Sequence, residues 1–169
     1  YLDRYMICEN KDALPRIYAV NDYIINDDLE STLSLIDNNQ FDKKRSAVVE
    51  KDFEINIAPD SGFQYNIDNI EYTPNRISFD ITANQNCLVI VGDQFYKPWD
   101  VTVDNKDKTL IRANGIFRSV AVKEGAHTII MKYNNSLQII ALIISILGIV
   151  ALIIMFIAEL TYLLRNSWG

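Results

Sequence analysis

Residues Ile139–Ala158 read IIALIISILGIVALIIMFIA, 20 residues without one charged side chain. As an α-helix at ~1.5 Å per residue, this stretch matches the ~30 Å hydrocarbon core of a bilayer. It reads as a membrane-spanning helix. Its place near the C-terminus excludes a cleaved signal peptide, whose apolar stretch is shorter and N-terminal. The chain as a whole, 169 residues and 49% hydrophobic, has the composition of an ordinary soluble domain and conceals this segment. The division expected is a folded domain over residues 1–132, a membrane helix with its flanks over 133–162, and a short tail over 163–169.

The flanks agree with this reading. Tyr133, Tyr162 and Trp168 stand near the ends of the apolar run, where amphipathic rings favour the headgroup zone. Ser145 and Gly148 form a small-xxx-small pair that permits close helix packing. Lys123 and Lys132 precede the helix and Arg165 follows it, a slight basic bias that places the domain inside. Long domains cross largely regardless of such charges.

Between Tyr133 and Ala158 there is no Asp, Glu, Lys or Arg, and beyond it only Glu159 and Arg165 are charged. Of the 16 basic and 22 acidic residues, 15 and 21 therefore lie in residues 1–132, which carry the whole net charge of -6. An acidic domain without a basic stripe is repelled by phosphate backbones, so nucleic acid is excluded as a partner. With 9 Tyr and 7 Phe, the region has the aromatic content of a folded domain rather than of a disordered one.

Its pattern is that of strands: short β-branched and aromatic runs punctuated by turn residues. Strands are expected over Arg16–Ile25, Ala47–Glu50, Asn66–Tyr72, Arg76–Ala83, Leu88–Phe95, Asp100–Val103, Thr109–Arg112, Phe117–Val122 and Thr128–Tyr133. Alternation is clearest in Ile77-Ser78-Phe79-Asp80-Ile81, with one face apolar and the other wet. Val103 to Lys108 reads as a hairpin turn in which Asn105 takes positive φ, and Lys123 to His127 as another. One helix interrupts the strands from Asp27 to Ile36, with an acidic first turn and apolar residues at 29, 33 and 36. The fold class expected is mainly β: a jelly-roll-like antiparallel β-sandwich with one short helix, followed by a single C-terminal transmembrane α-helix.

Candidates for chemistry are few. Cys8 and Cys87 lie in strand-like runs outside any CxxC pair, and read either as two buried thiols or as one bridge. His127, the one histidine, reads as a turn residue without the partners of a nucleophilic triad. Asp27-Asp28 reads as a helix cap, and Asp104 with Asp107 as a hairpin turn lacking a calcium loop's ligand count. No catalytic residue, metal site or cofactor is expected.

Phe95-Tyr96-Lys97-Pro98-Trp99 is different, because Pro98 fixes the backbone between two large rings at a strand junction. Tyr96 and Trp99 can stack on sugar faces; the competing reading has Trp99 plugging the core with Tyr96 at its rim. Arg112 and Arg118 flank the tight corner Ala113 to Phe117. Each can present a guanidinium to an acidic group of a ligand, or pair with a structural carboxylate such as Asp93 or Asp104. Tyr96, Trp99, Arg112 and Arg118 are therefore the glycan-contact candidates.

In order along the chain, Ala13-Leu14-Pro15-Arg16, Phe41-Asp42, Val48-Val49-Glu50, Tyr72-Thr73-Pro74-Asn75-Arg76-Ile77 and Leu88-Val89-Ile90-Val91-Gly92-Asp93 form a recognisable series. Trp99, Val103-Asp104, Arg112-Ala113-Asn114, Phe117-Arg118-Ser119-Val120 and Gly125-Ala126-His127 continue it to the membrane helix. The series resembles the C-terminal part of the YfhO-type bacterial membrane proteins, polytopic proteins similar to C-type glycosyltransferases. Pro98 stands where that family usually has Gly, and Asn105 where its hairpin usually has Gly; Asn tolerates positive φ, whereas Pro does not.

The resemblance implies an extracytoplasmic domain, the last membrane helix and a cytoplasmic C-terminus in a bacterial cell membrane, against the slight basic bias. It further implies an accessory module of a membrane glycosyltransferase that moves sugars from polyprenyl phosphate onto cell-envelope glycopolymer. The catalytic acid would then lie in the multi-helix region of a longer parent protein. The partners implied are membrane lipid, that multi-helix region, and envelope glycan or lipid-linked sugar. The alternative is a membrane-anchored carbohydrate-binding or structural envelope protein with no catalytic activity.

Overall fold

The computed structural model describes residues 9–11, 13–38 and 40–166. Tyr1, Cys8 and Trp168 lie outside them. Residues 1–133 and 134–169 form two compact units.

Leu88-Val89-Ile90-Val91 has no alternation, and an unbroken apolar run belongs in a strand covered on both faces. It forms the middle of β6 (Cys87–Gln94), buried from Cys87 to Val91. β6 belongs to a six-stranded sheet in the order β1 (Ile17–Val20), β6, β10 (Phe117–Val122), β9 (Ile111–Ala113), β3 (Ser46–Val49), β2 (Asp22–Ile25). A five-stranded sheet runs β4 (Tyr65–Thr73), β5 (Arg76–Ala83), β11 (Gly125–Tyr133), β7 (Trp99–Val103), β8 (Lys106–Lys108). The fold is the mainly β sandwich expected. Its strand pairs are antiparallel except β2 with β3, which run parallel.

Two cores follow from the two faces of β6. Cys87, Val89 and Val91, with Ile17, Ala19, Val120 and Val122, pack against Ile77, Phe79, Ile81, Val101, Val103, Ile129 and Met131 of the five-stranded sheet. Leu88 and Ile90 face the other way, toward Tyr18, Val20, Ala47, Val49, Ile111, Ala113 and Ala121. These second-face residues all come from the same six-stranded sheet as β6, and the one other buried member of the cluster, Ile57, comes from the loop after β3 together with the half-buried Phe53 and Ile55. The sheet therefore rolls around its own core.

The chain path requires the roll. The sequence read as one strand over Arg16–Ile25 is broken at Asn21: its first half, β1, pairs with β6, and its second half, β2, with β3 at the opposite edge. One residue joins the two edges, so the sheet must close on itself. Asn21 is 1% exposed and its Nδ2 donates to the Asp60 carbonyl at 2.8 Å, which satisfies a polar group that burial would otherwise penalise.

Elsewhere the strands lie close to their sequence positions, with local corrections. The turn read over Val103 to Lys108 is only Asp104-Asn105, with φ of 53° and 61°, as a two-residue hairpin turn requires. Lys106–Lys108 is instead β8, a three-residue edge strand of charged side chains, the composition that discourages edge-to-edge pairing. His127 is not in a turn: β11 begins at Gly125, and His127 stands opposite Ile81 of β5.

The helix α1 (Leu29–Asp37) starts where the acidic cap predicts, with Asp28 Oδ2 accepting from Ser31 N–H at 2.8 Å. Its packing differs from the expected apolar face. Leu29 and Leu33 are 47% and 52% exposed, and Thr32 is its buried residue. The helix rests on the β9–β10 corner: a Cβ at Gly115, whose φ is +78°, would stand 2.9 Å from Leu29 Cδ1.

The second unit is the helix α2 (Ser136–Asn166), 31 residues that include the whole apolar run and continue through positions 163–166. It is long and apolar enough to cross a membrane, and none of its residues is buried. Asn134 Oδ1 caps its start by accepting from Ser136 N–H at 3.1 Å, and the Ser145 hydroxyl returns to the Ala141 carbonyl at 2.9 Å.

Cys87 is a free thiol in the inter-sheet core, and burial pushes its pKa to about 12. In a Cys8→Ser variant, iodoacetamide at pH 8 should leave Cys87 unmodified in the folded protein and alkylate it in guanidinium. Native-state modification at the rate of a small thiol would contradict the double-faced burial of β6.

Candidate binding groove

β6 ends at Gln94, and the chain must turn sharply to start β7 at Trp99. Phe95 N–H donates to the Ile116 carbonyl at 2.6 Å, and Trp99 N–H to the Tyr96 carbonyl at 3.1 Å. Pro98 has no N–H to lose in such a turn and fixes its own φ. Trp99 is thereby held half-buried against the edge of the inter-sheet core.

Charged and aromatic groups fix its ring. The Arg118 guanidinium carbon lies 4.0 Å from the Trp99 ring centroid, within cation–π range, and Tyr133 meets the ring edge-on at 5.9 Å and 73°. Arg118 Nη2 pairs with Asp93 Oδ2 at 2.7 Å, while Arg16 Nη2 holds Asp93 Oδ1 at 2.7 Å. Only 5% of the Arg118 side chain is exposed. Burial pushes its pKa down, and Asp93 opposes that shift. Its Nε and Nη1 have no hydrogen-bond partner among the described residues, so the indole face is part of what offsets their burial.

Beside this ring a groove of about 640 Å³ runs between the two sheets. Glu50, Lys51 and Arg112 line it from the six-stranded side; Phe95, Lys97, Trp99, Asp100 and the β8 residues Asp107 and Lys108 line it elsewhere. Arg112 Nε pairs with Glu50 Oε2 at 3.2 Å and its guanidinium carbon sits 5.3 Å from the Phe95 ring centroid. Aromatic surface with charged groups on its rim can stack on a sugar and hydrogen-bond its hydroxyls.

The four glycan-contact candidates thus divide. Trp99 and Arg112 line the groove. Arg118 lies buried behind the indole and pairs with Asp93, the structural carboxylate weighed for it. Tyr96 is 55% exposed but outside the groove lining, stacked on Tyr133 at 6.3 Å. Phe95 belongs to the same aromatic run and was legible as part of it. Asp107 and Lys108 were hidden because β8 has the composition of a turn, and Glu50 because only the long-range pairing of β3 with β9 brings it beside Arg112.

The remaining candidates lie elsewhere. His127 Nδ1 contacts Asp104 Oδ2 at 2.6 Å, and Asp104 Oδ1 accepts from Thr128 N–H at 2.9 Å. Among the described residues no group of three or more His, Cys, Asp or Glu is placed to hold a metal ion. No family model, curated protein or solved structure matches the chain.

The hydrogen bond from His127, and then that from Thr128, hold the Asp104 carboxyl below the usual range. A carboxylate depressed on folding stabilises the protein above its unfolded pKa of ~3.9 and loses that contribution as pH falls through the folded value. Asp104→Asn, which tolerates the positive φ, should lower the melting temperature at pH 7. The gap from wild type should close below pH 4; an equal gap at both pH values would refute the linkage. Arg118→Ala strips a buried ion pair of one partner and the indole of its support, and should cost about 3 kcal/mol by thermal or chemical denaturation. A loss below about 0.5 kcal/mol, the level of an ordinary surface substitution, would show that Arg118 does not support the ring.

Proposed function

We propose that this chain is a membrane-anchored module that holds a carbohydrate polymer along the Trp99–Arg112 groove. It serves a polytopic bacterial glycosyltransferase that uses polyprenyl-phosphate-linked donors on cell-envelope glycopolymer, with the β domain on the extracytoplasmic side. The groove carries the binding part: an indole fixed by Arg118 and Tyr133, beside Phe95 and an Arg112 already oriented by Glu50. Prefixed rings and guanidinium lose little entropy on meeting a ligand, which favours binding without rearrangement. The membrane helix supports anchoring. The link to a glycosyltransferase, and the side of the membrane, are supported by the order and spacing of the motifs that resemble the YfhO-type proteins.

The test is retention of the detergent-solubilised chain on immobilised bacterial cell-wall polymer. Wild type should be retained, Trp99→Ala and Arg112→Ala should each weaken retention by about tenfold, equivalent to ~1.4 kcal/mol, and Tyr96→Ala should behave as wild type. Retention that survives Trp99→Ala but fails in Tyr96→Ala would reject the groove. Protease added outside intact cells should degrade the domain if it is extracytoplasmic.

A further inference from the structure

A cavity of about 790 Å³ shares no lining residue with the Trp99 groove. Its volume lies within the ~300–1,000 Å³ typical of ligand pockets. Segments distant in sequence build it: the approach to β1, the loop after α1, and Phe117 at the head of β10. Leu14 and Phe117 give it an apolar wall that continues the core inside the roll, and Phe41 adds a half-buried ring.

The polar groups of this wall are unevenly committed. Tyr18 is 4% exposed, and its hydroxyl oxygen accepts from Asn114 Nδ2 at 3.3 Å. That direction is forced, because Asn114 Oδ1 already accepts from Val48 N–H at 2.9 Å, which leaves only the donor nitrogen to face the phenol. The Tyr18 O–H therefore remains a donor with no acceptor among the described residues. Burial keeps the proton in place, with a pKa pushed up to about 12. Lys43 on the same wall makes no ion pair among the described residues, whereas the Asp42 carboxylate accepts from Lys44 N–H at 2.9 Å.

We propose that this cavity binds a small organic anion, with an apolar or aromatic body on Phe41 and Phe117 and a phosphate or carboxylate group that accepts from Tyr18 O–H and pairs with Lys43. A buried hydroxyl donor is best satisfied by a strong acceptor, and a charged acceptor makes the stronger hydrogen bond. The cation on the lip offsets the desolvation of that acceptor. The apolar wall discriminates against a bare inorganic ion.

Isothermal titration calorimetry of the detergent-solubilised full chain in phosphate-free buffer tests this with phenyl phosphate as probe, and with inorganic phosphate and phenol as comparisons. Phenyl phosphate should bind saturably with Kd below ~1 mM, and both comparisons at least tenfold more weakly. Tyr18→Phe keeps the ring that packs in the core, and Lys43→Ala changes an exposed side chain; each should weaken binding about tenfold. Benzoate in place of phenyl phosphate tells which anionic group is preferred, and either preference agrees with the proposal. Absence of saturable phenyl phosphate binding, or an unchanged Kd in Lys43→Ala, overturns it. Binding abolished by Trp99→Ala would assign the probe to the groove and also overturn it, whereas failure of the glycan reading leaves this cavity unaffected.

Discussion

Closure of the six-stranded sheet at Asn21 is the constraint from which the rest of the β domain follows. Val20 and Asp22 belong to strands at opposite edges of one sheet, and a single residue cannot span a flat sheet of six strands. The sheet has to roll, and a roll needs an interior. Leu88, Ile90, Tyr18, Val49 and Ile111 fill it from the strands, while Ile57, with Phe53 and Ile55, enters from the loop after β3. The same asparagine seats that loop, through its bond to the Asp60 carbonyl, and Asp60 in turn accepts from Gln85 Nε2 at 2.9 Å. Kink, plug and closure thus share one buried amide.

The groove is a geometric consequence of this roll. Only β1, β6 and β10 contribute to the core shared with the five-stranded sheet; β9 and β3 curl away to enclose the second core. Where they diverge, Arg112 and Glu50 on one side face β7 and β8 on the other across open space. Trp99 stands at that divergence, so one part of its ring meets the inter-sheet core and another meets the groove. A buried arginine behind an aromatic ring is costly unless its charge is paired, and Asp93 performs that pairing for Arg118 and Arg16 together. Arg16 also lies 4.0 Å from the Tyr72 ring centroid, so one carboxylate steadies two cation–ring contacts on different strands.

What the sequence disclosed and what it withheld divide along local and non-local physics. Alternation in Ile77 to Ile81, the unbroken run Leu88 to Val91, the Asp28 cap and the apolar stretch from Ile139 are local signals, and each element stands where it was read. Residues whose role depends on topology were not legible. Asn21 sits in an unbroken strand-like run, and only the pairing of its two sides with different partners reveals the kink. Lys106–Lys108 has the composition of a turn and becomes a strand because the Asp104-Asn105 hairpin returns it to β7. For the helix, spacing at 29, 33 and 36 suggested a packed apolar face, yet α1 meets the domain through Thr32 and through Leu29 at Gly115. Short helices take their orientation from what they rest on more than from their own moment. Among the glycan-contact candidates, Trp99 and Arg112 were identifiable by residue type, whereas the separation of Arg118 from the surface followed from the inward direction of even-numbered side chains on β10.

The electrostatics of the groove bear on how any ligand would reach it. The domain is acidic overall, yet Lys51, Lys97, Lys108 and Arg112 line this groove against Glu50, Asp100 and Asp107, four cations to three anions. At physiological ionic strength, charges separated by more than about 8 Å are largely screened, so the distant acids contribute little field inside it. The near balance within the groove gives no strong field either. Long-range steering is therefore weak for a ligand of either sign, and recognition has to come from contact: ring stacking on Trp99 and Phe95, and hydrogen bonds from side chains that already hold one another in place. Such a surface suits a ligand already held near it, for which a high local concentration replaces electrostatic capture.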